Sequence, residues 1–136
     1  MTAIRQAVAA DLPRLLAIRD ASGPDALSDP ALLDAESLAR MIAAGAVTVW
    51  DDGAAVAGFA AVEGAAIYLL AETAARGKGI GRELLADACA RVRRRGCMTA
   101  TLSLAPGAEA ARHYRAAGWI EAGYTGSGGL VLKKPL

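Results

Sequence analysis

Arg76-Gly77-Lys78-Gly79-Ile80-Gly81 carries the most chemical information in this 136-residue chain. Three glycines alternate with Lys78 and Ile80. A helical apolar stripe follows at once: Ile80, Leu84, Leu85, Ala88, Cys89 and Val92. Glycine removes side-chain bulk, so backbone N–H groups can approach a ligand closely. The first turn of a helix carries unpaired N–H groups and the positive end of the helix dipole. Glycines running into a helix start therefore make an anion site, and phosphate is the anion such sites suit best.

Spacing separates the phosphate loops. Walker A needs Gly-x4-Gly-Lys-Ser/Thr, but Gly77-Lys78 is followed by Gly79, so the magnesium-binding hydroxyl is missing. The dinucleotide fingerprint needs Gly-x-Gly-x-x-Gly after an early first strand. Here Gly77, Gly79 and Gly81 are each two apart, residue 82 is Arg, and about 70 residues of other structure precede the loop. The spacing that fits is Arg/Gln-x-x-Gly-x-Gly/Ala, on Arg76, Gly79 and Gly81. With this loop the chain resembles the GNAT superfamily of N-acetyltransferases, whose corresponding loop wraps the pyrophosphate of acetyl-CoA. Ala111-Arg112-His113-Tyr114-Arg115-Ala116-Ala117-Gly118-Trp119 is similar to the family's Ala-x-x-Tyr-x-x-x-Gly-Phe ending, and Ala3–Asp11 resembles its Ile-Arg-x-Ala-x-x-x-Asp opening. The likeness runs in order along nearly the whole chain. There are two departures: Thr73 stands where proline is common, and Gly107, after Pro106, stands where Asn often precedes the Tyr by seven residues.

The resemblance implies an acetyl-CoA-dependent transfer of an acetyl group to a primary amine by direct attack on the thioester. That chemistry must polarise the carbonyl, present a neutral amine, and stabilise or protonate the departing thiolate. By family likeness, a backbone N–H on the strand ending Leu70-Ala71 serves the carbonyl. Leu70, Ala71, Arg76, Gly77, Lys78, Gly79, Ile80, Gly81 and Arg82 then bind the cofactor. Tyr114 matches the family's general acid. A free phenol titrates near 10 and a thiol near 8.5, so positioning must assist that transfer. No residue stands out as the base. Glu72, close to the cofactor strand, is the first side-chain candidate, Glu63 and His113 follow, and a water chain is preferred to all three. His113 is expected to face away from Tyr114, because adjacent helical residues point about 100° apart. The alternative function is a non-catalytic CoA-binding or regulatory module on the same fold.

Stepping outward, Ala3–Val8 predicts a strand. Asp11 and Pro13 start a helix with Leu12, Leu15, Leu16 and Ile18 on its apolar face. Residues 20–31 are turn-rich and acidic, and a second helix is expected over Leu32–Ala44, ending at Gly45. Val47–Trp50, Ala55–Val62 and Ile67–Ala71 predict a three-strand meander, with a hairpin turn at Asp51-Asp52-Gly53. Gly58 suggests a bulge or a close contact. A helix over Gly79–Arg95, a strand over Met98–Leu104, a helix opened by Pro106 and ending at Gly118, and a closing hairpin of Trp119–Tyr124 and Leu130–Leu132 follow. This order predicts an α/β (α+β) fold: a mixed, mostly antiparallel sheet of about six or seven strands with helices on both faces.

The bulk properties are consistent with one domain over residues 1–136: hydrophobic residues make up 54% and charged residues 21%. No apolar run approaches the roughly 20 residues a membrane span needs, and no signal peptide is seen. Two cysteines and one histidine do not furnish a zinc site, and reduced thiols in a cytoplasmic protein are expected. A net charge of +1 argues against nucleic-acid binding. Residues 1–68 carry four arginines against nine acids, and the remainder eleven basic residues against five acids. Asp20, Asp25, Asp29 and Asp34 lie in the segment where the family admits its acceptor, which favours a cationic amine. Homodimerisation is common in the family. Arg91 and Arg93–Arg95 at a helix C-terminus read as dipole-compatible surface charge, with Lys78 and Arg82 the better phosphate contacts.

Overall fold

The computed structural model describes residues 3–22, 26–72 and 79–136. Turns at Asp51–Gly53 and Glu63–Gly64 break the central apolar stretch into strands β2 (Val47–Asp51), β3 (Val56–Glu63) and β4 (Ala66–Ala71). The first turn is closed by its own acids. Asp51 accepts from the Gly53 N–H at 2.8 Å, and Asp52 from the N–H groups of Ala54 and Ala55 at 2.8 and 2.9 Å. β3 is buried along all but its last residue because both its faces are covered. Strand β1 (Ile4–Gln6) edges this meander, and β5 (Thr99–Leu104), β6 (Ile120–Tyr124) and β7 (Leu130–Pro135) complete a seven-stranded sheet in the order β1-β2-β3-β4-β5-β7-β6. Every pairing is antiparallel except β4 with β5.

Helices α1 (Leu12–Ala21) and α2 (Ala35–Ala43) cover one face, where Leu15, Ile18, Leu38, Met41 and Ile42 pack on Val47, Val49, Phe59 and Leu70. Helices α3 (Ile80–Arg94) and α4 (Ala110–Ala116) cover the other. The four-residue spacing of Ile80, Leu84, Ala88 and Val92 lays one apolar stripe of α3 against Ile67, Leu69, Ala100 and Leu102. Because successive strand residues point to opposite faces, β4 feeds Leu69 to the α3 core and Leu70 to the α1–α2 core. The mixed sheet with helices on both faces is the architecture expected from the sequence.

Gly58 satisfies both readings of a strand glycine. The register shifts beside it, between Trp50 and Asp51, and a Cβ there would lie 3.1 Å from the Leu70 carbonyl oxygen and 3.1 Å from a Leu84 methyl.

Three local expectations give way to other hydrogen-bond partners. Asp11 does not cap α1 with its side chain. Its carboxylate turns back to the Val8 N–H at 2.8 Å and takes both ends of the Arg5 guanidinium, at 2.9 and 3.0 Å. Pro106 opens a turn, not a helix. The Ala108 N–H donates to the Ala105 carbonyl at 3.1 Å with Gly107 at φ +72°, the geometry of a type II turn, and α4 starts only at Ala110. The second helix begins at Ala35, because Asp34 accepts from the Ser37 N–H at 2.7 Å and Pro30–Leu32 forms a separate 3₁₀ turn before it.

Candidate active site

The site forms where β4 and β5 part. These parallel neighbours share the register pair Ala66–Thr101 and then diverge. Beyond it, the segment Ala26–Asp29 enters between them. Ser28 Oγ accepts from the Leu69 N–H at 2.9 Å, and the Asp29 N–H donates to the Ser103 carbonyl at 2.7 Å. The loop thus takes ladder positions that the two strands would otherwise have offered each other. Ala26, Ser28 and Asp29 are buried, which is unusual for a connection between helices.

Past this plug a cleft of about 980 Å³ opens between α3 and α4. Leu27, Leu69 and Ala71 line its inner end, Gly79–Arg82 and Leu85 one wall, and Glu109, Ala110 and Arg112–Tyr114 much of the other. The β3–β4 register decides which backbone groups face it. The Glu72 N–H bonds to the Ala57 carbonyl at 2.8 Å, so alternate residues, including Leu70, complete the ladder with β3. Leu69 and Ala71 turn their backbone groups the other way. The Leu69 N–H is held by Ser28, whereas Ala71 stands at the cleft itself. Leu70 is fully buried, with its side chain in the α1–α2 core.

Gly79 is the N-cap of α3, in the left-handed region at φ +78°, and it has no side chain with which to cap the helix. Its first-turn N–H groups and the positive end of the dipole are therefore directed at the mouth of the cleft. A Cβ on Gly81 would come within 2.9 Å of the Leu27 Cδ1 atom, so this glycine makes room for the loop that plugs the sheet. Arg82 lines the cleft with no ion pair to another described residue. Arg76, Gly77 and Lys78 lie outside the described residues.

Tyr114 is 4% exposed and lines the cleft from α4. Its ring meets Trp119 edge to face at 5.7 Å, and its hydroxyl donates to the Leu27 carbonyl at 2.7 Å. His113, expected to face elsewhere, contributes to the same cleft from an exposed position. Glu72 is ion-paired with Arg14, whose Nε also donates to the Val56 carbonyl at 2.9 Å. This pair ties the end of β4 to α1. Glu63, at the far end of the meander, faces Arg40 at 3.5 Å.

The basic residues divide as well. Arg91 pairs with Asp87 at 2.9 Å across one helical turn, as its spacing suggests. Arg93 and Arg94, with Arg82 and Lys134, border an adjoining apolar groove of about 920 Å³ floored by Leu85, Cys89 and Trp119. Burial pushes the Cys89 thiol up from its ordinary range, while nearby Lys134 partly opposes this.

Two residues of this site escaped sequence reasoning: Leu27 and Ser28. Their signal was a lone large apolar residue in a stretch otherwise rich in Gly, Pro, Asp and Ser, which is a poor place to leave a leucine in water.

A splayed parallel strand pair, a glycine-led helix start and a buried tyrosine thus meet around one cleft. Residues 42–121 match the family described as the acetyltransferase (GNAT) domain, and the chain belongs to that family. Among solved structures, the ribosomal-protein-alanine N-acetyltransferase from Brucella melitensis is 27% identical, with 98% of this chain and 99% of that one covered at a TM-score of 0.74. A GCN5-related N-acetyltransferase from Rhodopseudomonas palustris superposes at a TM-score of 0.81 over 100% of this chain and 96% of the other, with 19% identity. The PaiA N-acetyltransferase from Thermoplasma acidophilum, solved with coenzyme A, gives 0.77 at 16% identity over 98% of each chain. No curated protein matches by sequence.

Proposed function

We propose that the chain transfers an acetyl group from acetyl-CoA to a primary amine by direct attack, with Tyr114 as general acid. The observation that carries this is that the buried Tyr114 stands on the same cleft as Ala71 and the start of α3. The cleft fits the donor. The glycine-led α3 terminus offers N–H groups for a pyrophosphate, with Arg82 beside it, and the passage between α3 and α4 suits an extended pantetheine arm. In this reading Gly79, Ile80, Gly81 and Arg82, together with Arg76, Gly77 and Lys78, hold the phosphates. The Ala71 N–H polarises the thioester carbonyl.

The proton count closes with Tyr114 and one water. A neutral amine nitrogen forms the C–N bond, and the C–S bond breaks with its electron pair going to sulfur. The nitrogen gives a proton to water, Tyr114 gives its hydroxyl proton to sulfur, and the phenolate recovers one from that water. The products are an amide and a free thiol. Water carries the base role because Glu72 is committed to Arg14.

The acceptor is an amine, and the case for a cationic one weakens. Asp29 is 4% exposed and accepts from the Ala31 N–H at 3.0 Å, Asp34 caps α2, and Asp20 pairs with Arg19 at 2.9 Å. Those charges serve the loop, and Asp25 lies outside the described residues. The name of the 27% identical structure supports adding an alanine-ended peptide to the amine panel, beside polyamines, aminoglycosides and lysine.

The test is thiol release from acetyl-CoA against that panel, with mass-spectrometric detection of the acetylated amine. Thermal stabilisation by acetyl-CoA with no thiol release from any amine favours the non-catalytic module.

A further inference from the structure

The plug between β4 and β5 does more than fill space. Ser28 and Asp29 anchor it to one strand each, at 2.9 and 2.7 Å, and Leu27 immediately precedes these two anchors. The Leu27 backbone has little freedom left, because its neighbours Ala26 and Ser28 are 3% and 1% exposed. Its carbonyl accepts the Tyr114 hydroxyl at 2.7 Å, and its side chain rests over Gly81. One short segment therefore touches the acid, the wall of the donor cleft and the splayed strands together.

We propose that Ser28 is a positioning residue for acyl transfer: by holding the Leu27 carbonyl in place, it sets the orientation of the Tyr114 hydroxyl. The proposal rests on the acetyltransferase reading above. A phenol has one proton to donate, and here that proton lies on Leu27. To protonate the leaving sulfur, the hydroxyl exchanges the Leu27 carbonyl for the sulfur as acceptor. The O–H bond breaks, an S–H bond forms, and no oxidant or further reactant is needed. The carbonyl keeps the hydroxyl in one rotamer until that exchange. Ser28 acts at one remove, since its Oγ accepts from the Leu69 N–H and so fixes the height of the plug in the sheet.

The experiment is a double-mutant cycle. kcat and the acetyl-CoA KM are measured for the wild type, Ser28→Ala, Tyr114→Phe and the double variant, with Ser28→Thr and Ser28→Cys retaining a hydroxyl or a weaker acceptor at the same place. Ser28→Ala is expected to lower kcat about tenfold with the KM within about twofold, and Ser28→Thr to restore it. In the Tyr114→Phe background, Ser28→Ala is expected to cost less than about twofold. An equal loss in both backgrounds overturns the proposal, because it marks Ser28 as structural only. So does a change confined to KM. If Ser28→Ala does not fold, Ser28→Cys takes its place in the cycle.

A second readout needs no turnover. The ring carbon bearing the hydroxyl of Tyr114, observed by NMR in protein labelled with ¹³C tyrosine, is expected to shift in Ser28→Ala and to stay in place in Ser28→Thr. An unmoved signal overturns the proposal even if the wild type cleaves no thioester, whereas a moved signal in an inactive protein overturns the acetyltransferase reading alone.

Discussion

Tyr114→Phe separates the two things the hydroxyl does. The ring stays, so the contact with Trp119 at 5.7 Å and the burial of the side chain are kept. The Leu27 carbonyl loses its donor. An unsatisfied buried acceptor costs about 1–3 kcal/mol, and the lower half of that range applies because this bond is only part-buried. At about 2.1 cal/mol/K per residue, 136 residues give an unfolding entropy of about 0.29 kcal/mol/K, so the loss lowers Tm by about 3–7 °C. The catalytic effect is separate. General acid–base groups contribute about 10²–10⁴ in rate, and a thiolate is a fair leaving group, so kcat should fall about a hundredfold. Acetyl-CoA affinity should stay within about twofold, because the hydroxyl acts only as charge develops on sulfur. Steady-state thiol release gives kcat, calorimetric titration the affinity, and a thermal melt the stability. A normal kcat alongside the expected drop in Tm would refute the reasoning and leave Tyr114 as a tether for the loop.

Other expectations follow from the same structure. Arg5→Ala leaves the Asp11 carboxylate, whose side chain is only 11% exposed, with a single backbone donor; since Arg5 itself is 40% exposed, the loss should be about 2 kcal/mol, or about 7 °C in Tm. The Arg5 hydrogen bonds hold Asp11 below the ordinary carboxylate range, so this stabilisation is present above about pH 4 and is lost as pH falls through the depressed folded-state value; the Tm gap between wild type and Arg5→Ala should close on acidification. Gly79→Ala meets no atom within 4 Å but forces a side chain to φ +78°; a loss of about 1 kcal/mol and a raised acetyl-CoA KM are expected from melts and kinetics. Glu72→Gln should keep kcat within about threefold, because the carboxylate is held by Arg14 and not aimed at an amine; a collapse of kcat in steady-state assays would restore Glu72 as the base.

Much of the fold was legible because its signals are local. The apolar stripe of α3, the turn acids at Asp51 and Asp52, and the switch from helical to alternating period all act within a few residues, so their spacing survives in the linear chain. Asp11 and Pro106 show where that logic stops. Each carries a local helix-start signal. At Asp11 a stronger partner, the Arg5 guanidinium six residues back on β1, takes the carboxylate, and at Pro106 the following Gly107 permits a tighter turn.

The candidate site divides in the same way. By itself the sequence determined the glycine spacing from which phosphate binding is proposed, the family resemblance and the place of Tyr114 on its helix, because glycine spacing and helix periodicity are written in neighbouring residues. Only the tertiary structure decided that Ala71 and not Leu70 turns its backbone to the cleft, since that depends on the register with β3. It also spent Glu72 on Arg14, and Asp29 and Asp34 on capping. Most of all, it placed Leu27 between Gly81 and Tyr114, residues 54 and 87 positions away from it. A backbone carbonyl has no side-chain signature, so its partnership with a distant hydroxyl is set by how the sheet opens and by where Ser28 and Asp29 anchor the loop in it.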